Sequence, residues 1–364
     1  MLLNNQQRRH PLQNAVRIVE SLYTILMRLF LFLGLMTGVI SAMLIAVALV
    51  FAHVMPGDSI AFTSGRTGDN DIYVRDLTTG ITRNLTHFPG LDNNPVWSPD
   101  GRFIAFMTTR DLNSEIYLVD VAGHEQRNLS RNPTDDTLPV WSPNGEWIAY
   151  TSIDSGATEI FILNVHDGTR RNISNHPAPD SMPSWSPDGR LLAFVSSRDG
   201  DNNDIFVADV ASGALVNVTH SPGHDFEPQW SPDGTQIAFW SSRNGNADVY
   251  VMDAVGTNLR NLSQHPADDV RPIWSPDGRW LAFESSRDGN SEIYIVNVAT
   301  GALRNLSQNL AREQDPRWAD DSRHLVFWSV RDGNAEIYRA DIESGELVKI
   351  TNHPDSDYDP VLYP

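Results

Sequence analysis

The chain contains no cysteine. Disulfides, thiolate metal sites, iron–sulfur clusters and cysteine nucleophiles are therefore excluded. Lysine is nearly absent too: Lys349 is the only one, and the other basic residues are arginines. Schiff-base chemistry is left with a single candidate. Positive charge is scarce overall, with 27 basic against 46 acidic residues and a net of -19. Sequence-independent nucleic-acid binding needs a surplus of positive charge to displace counterions from phosphates, so no nucleic-acid partner is expected. Beyond residue 55 no stretch sustains helical periodicity. There is also no Gly-x-Ser-x-Gly elbow, phosphate loop or dinucleotide fingerprint.

One long segment lacks charge altogether. From Leu29 to Val54, 26 residues pass without Asp, Glu, Lys or Arg. As a helix this is about 39 Å, enough to cross a ~30 Å hydrocarbon core with some tilt. Residues 1–28 carry Arg8, Arg9, Arg17 and Arg28 against Glu20, whereas residues 55–364 carry a net of -22. Arginines before the span place the N-terminus in the cytoplasm and the acidic bulk on the periplasmic or extracellular side. A cleaved signal peptide, with small residues near Val50-Phe51-Ala52, is the alternative. Signal cores run to only about 15 residues, so a retained single-pass anchor in the cytoplasmic membrane is expected. Within it Gly34, Gly38, Ala42 and Ala46 fall on one helix face, which lets a second helix approach closely. Residues 12–28 (Leu12, Val16, Val19, Leu22, Tyr23, Leu26) space like an amphipathic helix, lying in the interface or extending the span.

The remainder repeats. Trp97, Trp141, Trp185, Trp230, Trp274 and Trp318 are 44, 44, 45, 44 and 44 residues apart. Five begin a near-identical phrase, Trp97-Ser98-Pro99-Asp100-Gly101 and its copies, with Asn144 for Asp in the second. The sixth reads Trp318-Ala319-Asp320-Asp321-Ser322. A period near 44 with four short strand signals is the mark of propeller blades. Strand A is Pro95-Val96-Trp97-Ser98, followed by Pro-Asp-Gly turn chemistry. Strand B is Phe103-Ile104-Ala105-Phe106, strand C is of the type Glu292-Ile293-Tyr294-Ile295, and strand D of the type Leu303-Arg304-Asn305-Leu306-Ser307. Strand B occurs seven times, starting at Ile60-Ala61-Phe62 with no strand A before it. Pro360-Val361-Leu362-Tyr363-Pro364 supplies the missing one. The fold expected is therefore all-β: a seven-bladed β-propeller of four-stranded antiparallel blades over 55–364, closed by its C-terminal strand, behind a transmembrane helix at 29–54 and a cytoplasmic segment at 1–28. The prolines two before and, in most blades, two after the strand-A anchor (Pro95 and Pro99, Pro139 and Pro143, Pro183 and Pro187) cannot donate hydrogen bonds, so that side of strand A should face the axial channel.

The Trp-Ser-Pro-Asp-Gly phrase, the Ile-Ala-Phe strand and the Arg-Asp-Gly-Asn-x-Glu-Ile-Tyr turn resemble the TolB-like, WD40-like (PD40) propeller repeat family over essentially all of 58–364. The resemblance implies the propeller. It leaves no room here for the additional α/β domain of the periplasmic translocation protein, or for the hydrolase domain of prolyl oligopeptidase-like peptidases.

Motifs that suggest chemistry mostly belong to the repeat. Asn84-Leu85-Thr86, Asn128-Leu129-Ser130, Asn172-Ile173-Ser174, Asn217-Val218-Thr219, Asn261-Leu262-Ser263 and Asn305-Leu306-Ser307 read as glycosylation sequons but share one blade position, which strand-D hydrogen bonding explains better. Asp199-Gly200-Asp201-Asn202-Asn203-Asp204 has oxygen ligands enough for calcium, yet is a B–C hairpin turn like its counterparts. His87, His176, His220, His265 and His353 read as D–A loop residues. No catalytic residue, metal site or cofactor is assigned.

One constellation remains. Five residues before each anchor stands an acid: Asp92, Asp136, Asp180, Asp225, Asp269, Glu313 and Asp357. Thirteen after it stands an arginine in six blades (Arg66, Arg110, Arg198, Arg243, Arg287, Arg331), and Asp154 in the other. A third acid (Asp71, Glu115, Glu159, Asp204, Asp248, Glu292, Glu336) opens strand C on the same face. These groups form either a structural ion-pair lattice or a carboxylate rim at the channel mouth that takes a cation or basic segment. Only Met55 to Ser59 separate the span from strand B, so the A–B turns should lie toward the bilayer and the acids away from it. The function expected is a membrane-anchored extracytoplasmic scaffold for a protein partner. The alternatives are an accessory subunit of a membrane complex held through the transmembrane helix, and a hydrolase or lyase with its site at the channel.

Overall fold

The computed structural model describes residues 58–364, apart from 123, 124 and 155. The N-terminal segment, the span Leu29–Val54 with its Gly34, Gly38, Ala42 and Ala46 face, and the join to the propeller lie outside the described residues. Among the described residues no helix is long and apolar enough to cross a membrane.

The described residues form 28 strands, β1–β28, in seven four-stranded antiparallel sheets. The second blade shows the pattern, with β4 (Asp92–Trp97), β5 (Phe103–Thr108), β6 (Glu115–Asp120) and β7 (Gln126–Asn128) following one another outward from the axis. Blades 3 to 7 repeat it over 136–172, 180–217, 225–261, 269–305 and 313–349. Blade 1 is closed by the far end of the chain: β28 (Asp357–Leu362) lies beside β1 (Ser59–Ser64), followed by β2 (Asp71–Asp76) and β3 (Thr82–Asn84). Ile60 stands opposite Leu362 and Ala61 opposite Val361, the closure expected from the count of strands.

The core lies between blades rather than within them. Each strand B is a short, continuously apolar run, as a strand buried on both faces must be. In β5, Ile104, Ala105 and Phe106 are all 0% exposed. Ile104 and Phe106 pack back onto Ala61, Ile72 and Leu85 of blade 1, while Ala105 faces Trp141, Ile148 and Tyr150 of blade 3. The small alanine lets the next blade approach its neighbour.

The anchor tryptophans stitch these seams. Trp141 Nε1 donates to the Val96 carbonyl (3.2 Å), and Trp185, Trp230, Trp274, Trp318 and Trp97 bond in the same way to Val140, Ser184, Gln229, Ile273 and Val361. Leu362 stands where the seventh tryptophan would be. Replacing Trp185 by Phe keeps an aromatic ring but removes one seam bond, and should cost about 1 kcal/mol in urea unfolding. An unchanged midpoint would show that the bond contributes nothing.

Every A–B pair carries a β-bulge, and Pro95, Pro139, Pro183 and Pro272 sit there, lining the channel as their missing N–H groups require. The second proline behaves differently. Strand A ends at the tryptophan, so Pro99, Pro143, Pro187 and Pro232 lie in the turn. There they abut the turn glycine of the next blade: a Cβ on Gly145, Gly189, Gly234 or Gly278 would meet them at 3.7, 3.6, 3.4 or 3.8 Å.

Candidate functional site: the axial channel and its mouth

The seven acids preceding the anchors are the first residues of the seven A strands, and all are 0% exposed. They do not stand open as a rim. In five blades an arginine of the B–C turn reaches back to them at 2.8–2.9 Å: Arg66 to Asp357, Arg110 to Asp92, Arg198 to Asp180, Arg243 to Asp225 and Arg287 to Asp269. Arg331 pairs with Glu313 in the same way. Each guanidinium also donates through Nε to the residue ending strand B, such as Ser196 or Ser285 (both 2.8 Å). It lies over the aromatic residue of strand C as well, with Arg287 4.5 Å from the Tyr294 ring centroid. The result is one polar module per blade that ties the D–A and B–C loops to the sheet.

Blade 3 builds this module from exchanged parts. Asp154 replaces the arginine, and Arg170 of β11 (Arg170–Asn172) enters from strand D. It donates to Ser152 Oγ (2.9 Å), Asp154 (2.7 Å) and Tyr150 Oη (2.6 Å), and covers the Phe161 ring at 3.8 Å. The aromatic pair is reversed to match: Tyr150 and Phe161 stand where blade 2 has Phe106 and Tyr117. Among the described residues Asp136, the acid of this blade, makes no ion pair. Burial pushes its carboxyl up, against the opposing pull of the Ser152 and Ser130 hydroxyls and Arg170.

The strand-C acids and the sequon residues form a second polar layer. Asn84 Nδ2 donates to Asp71 (2.7 Å), and its Oδ1 accepts from the backbone of Thr86 and His87. Thr86 Oγ1 in turn accepts the Ile72 N–H (3.0 Å) and donates to Asp71 (3.3 Å). Ser263 with Asp248 and Thr351 with Glu336 repeat the arrangement. The sequon spacing is thus a hydrogen-bond requirement of strand D. Among the described residues no group of three His, Asp or Glu has metal-holding geometry, the 199–204 turn included.

The channel itself is lined by residues absent from the reading of the repeat. At each bulge the residue before the proline has a positive φ: Asn94, Leu138, Met182, Glu227, Arg271, Asp315 and Asp359 lie between 49° and 57°. All seven line one cavity of about 390 Å³. Such φ values are strained for Leu and Met, and strain of this kind gathers at binding sites. Their sequence signal is variation: seven copies of an otherwise repeated phrase show six different residues at this position.

The lining is two-sided. Leu138, Met182, Val96 and Val140 form an apolar wall. Opposite, Arg271 Nη1 reaches Glu284 (3.0 Å) and Asp315 (2.8 Å), and its Nε lies 3.7 Å from Glu227. Trp328 Nε1 donates to Asp315 (2.6 Å), and Thr63 Oγ1 donates to Asp359 (3.0 Å). Two aromatic pairs flank this wall: Phe226 stacks on Trp240 at 4.6 Å, and Trp328 meets Tyr358 edge-on at 5.5 Å. Burial raises the carboxyls of Glu227 and Glu284 against the pull of Arg271, and raises Asp359 with the help of Asp315. Burial opposes the Arg271 charge, but Glu284, Asp315 and Glu227 outweigh it and hold the guanidinium protonated.

A closed ring of seven four-stranded antiparallel blades around an axial channel defines a seven-bladed β-propeller. The chain belongs to the TolB beta propeller domain family, PD40, whose model matches residues 50–176, 138–272 and 260–364. Among solved structures, TolB from Acinetobacter baumannii is 21% identical, covering 84% of this chain and 82% of its own, with a TM-score of 0.56. An oligogalacturonate lyase from Vibrio parahaemolyticus is 14% identical over 81% of this chain and 85% of its own (TM-score 0.61). A puromycin-hydrolyzing peptidase from Mycobacterium tuberculosis is 19% identical over 82% of this chain (TM-score 0.67), and this chain spans 52% of that peptidase. At such identities the likeness is one of fold. No curated protein matches the chain.

Proposed function

We propose that the protein is a membrane-tethered interaction propeller. In this reading Leu29–Val54 is a single-pass anchor in the cytoplasmic membrane. The propeller lies on the periplasmic or extracellular side, and a protein partner docks at the loop-bearing mouth of the channel. One observation carries the proposal: in all seven blades the bulge holds one residue at positive φ against a single axial cavity, and these seven residues are of six kinds, so the lining is not one repeated chemistry. The buried Arg–acid modules support it, because loops already held by ion pairs lose little freedom when a partner binds. Membership of the TolB propeller family agrees with such a role. The cavity lining holds no Ser, Thr or His among the described residues, which favours binding over hydrolysis. The Gly34, Gly38, Ala42 and Ala46 face offers a second contact, through which a partner's helix would hold the protein as a subunit of a membrane complex.

The test is purification of the intact chain from its native membrane in mild detergent. A partner should accompany the wild type and be lost from a folded Met182→Glu variant, which places a charge on the apolar wall. Partner recovery unchanged by that variant would overturn docking at the channel. In sealed vesicles with the cytoplasmic face outward, the propeller should resist added protease until the membrane is opened. Immediate cleavage would overturn the topology.

A further inference from the structure

The two walls of the channel differ in what they lack. On the charged wall four carboxylates, Glu227, Glu284, Asp315 and Asp359, stand with Arg271, Arg317 and, over the Trp328 ring, Arg312, which leaves one negative charge in excess. Arg271 is shared among three of the carboxylates. Its shortest contacts go to Asp315 and Glu284, so from this guanidinium Glu227 receives only the long 3.7 Å contact. The Arg271 backbone and the Trp240 side chain favour the ionised Glu227 carboxyl, but its Oε2, screened from solvent, has no well-formed hydrogen bond among the described residues. An enclosed carboxylate oxygen without a donor is costly, and a donor arriving along the axis would relieve that cost.

We propose that this wall, with the aliphatic wall opposite, is a receptor for a single basic side chain: a guanidinium or alkylammonium group on an aliphatic stem, carried by an extended segment of the partner. The inference rests on the interaction reading above and gives it a chemical specificity. The cationic head lies against Glu227 and Asp359, where negative charge is in excess. The methylene stem runs along Leu138, Met182 and Val140, in the way that long basic side chains bury their stems while the head finds polar company. The Phe226–Trp240 and Trp328–Tyr358 pairs stand on blades 5, 7 and 1 around the same wall. Their apolar surface limits water there, which strengthens each charge pair. An anionic ligand would meet the excess charge with the wrong sign.

The experiment uses the full chain in detergent and calorimetry with three capped tripeptides: Gly-Arg-Gly, Gly-citrulline-Gly and Gly-Glu-Gly, with spermidine as a fourth probe. Citrulline keeps the shape of arginine and removes its charge. The arginine peptide should bind at least about tenfold more tightly than the citrulline peptide, and raised salt should weaken it. Glu227→Gln should reduce arginine-peptide binding by about tenfold, while Glu146→Gln, in an exposed turn at the other end of the blades, should leave it unchanged. Binding of spermidine without binding of the arginine peptide would overturn the polypeptide source and keep the chemistry. Equal affinity for arginine and citrulline, tighter binding of the glutamate peptide, or no binding of any probe would overturn the inference. If a partner co-purifies equally with wild type and Glu227→Gln, the inference fails while the interaction reading stands. Arginine-peptide binding with no partner ever recovered would be the reverse case.

Discussion

Deleting residues 358–364 should destabilise the propeller by more than about 5 kcal/mol, a large share of the 5–15 kcal/mol typical of a folded domain. The deletion removes the inner strand of blade 1 and with it every ladder bond between β28 and β1 except those at Asp357. It also removes the Val361 carbonyl that accepts the Trp97 indole (3.1 Å) and the Tyr363 ring that meets Trp97 edge-on at 5.3 Å. β1, buried at all six residues, would face solvent along one edge. An open apolar edge of this kind invites pairing with another chain. The truncated protein should therefore melt far below the full chain or aggregate, and a synthetic peptide of residues 357–364 should recover part of the loss by adding the strand in trans. A truncated chain melting within about 2 °C of the full one would show that the ring does not depend on its last strand.

The next largest effect should come from Arg287→Ala, at about 3–5 kcal/mol. The guanidinium donates to both Asp269 oxygens (3.1 and 2.9 Å) and to Ser285 (2.8 Å). Without it Asp269, at 0% exposure, is a buried anion with no counter-ion. Arg170→Ala should cost less, about 1–3 kcal/mol, because it removes a donor from the buried Tyr150 and Ser152 hydroxyls but strips no buried carboxylate of an ion pair, and Asp154→Ala, at a pair whose acid is 40% exposed, should cost less than about 1 kcal/mol. Asp136→Asn should be tolerated, since Asp136 lacks an ion pair. Its folded-state carboxyl is raised, so the folded protein binds this proton more tightly than the unfolded chain does. Its contribution to stability therefore grows as pH falls from the raised value toward the ordinary carboxylate value, and disappears in Asp136→Asn. Urea unfolding at several pH values reads all of these. A neutral Arg287→Ala, or an Asp136→Asn as damaging as Arg287→Ala, would contradict the roles assigned to the buried pairs.

How much was legible in the residues depended on what the repeat carries. Blade number, strand order and closure follow from the spacing of Trp97 to Trp318 and from the unpaired Ile60 strand, because strands and turns are local signals. The acids and arginines were legible as neighbours on one face. Their depth was not, because spacing places Asp92 and Arg110 at one end of a blade without showing that the arginine folds back over Tyr117 and encloses the acid. The reciprocal exchange in blade 3, Tyr150 for Phe and Arg170 for the missing arginine, is visible in the sequence only once the module is known. The channel residues escaped for another reason. Strict alternation places one residue in two on each side of a strand, and a bulge re-aims one of them. Leu138 and Met182 carry no hint of a positive φ, as a glycine would have done.

The pairing of β28 with β1 also sets a timetable. Thr63 and Asp359, hydrogen-bonded across it, are 296 residues apart. At roughly 5–20 residues per second, synthesis of the intervening chain takes about 15–60 s. Each of blades 2 to 7 receives its four strands in one continuous stretch and can assemble as it emerges. The first blade begins as three strands and waits for its fourth until Asp357–Leu362 have emerged. For that interval the newborn chain displays the β1 edge, apolar at Ile60, Ala61 and Phe62, to every other chain nearby. The edge that closes the ring is thus the one left open longest.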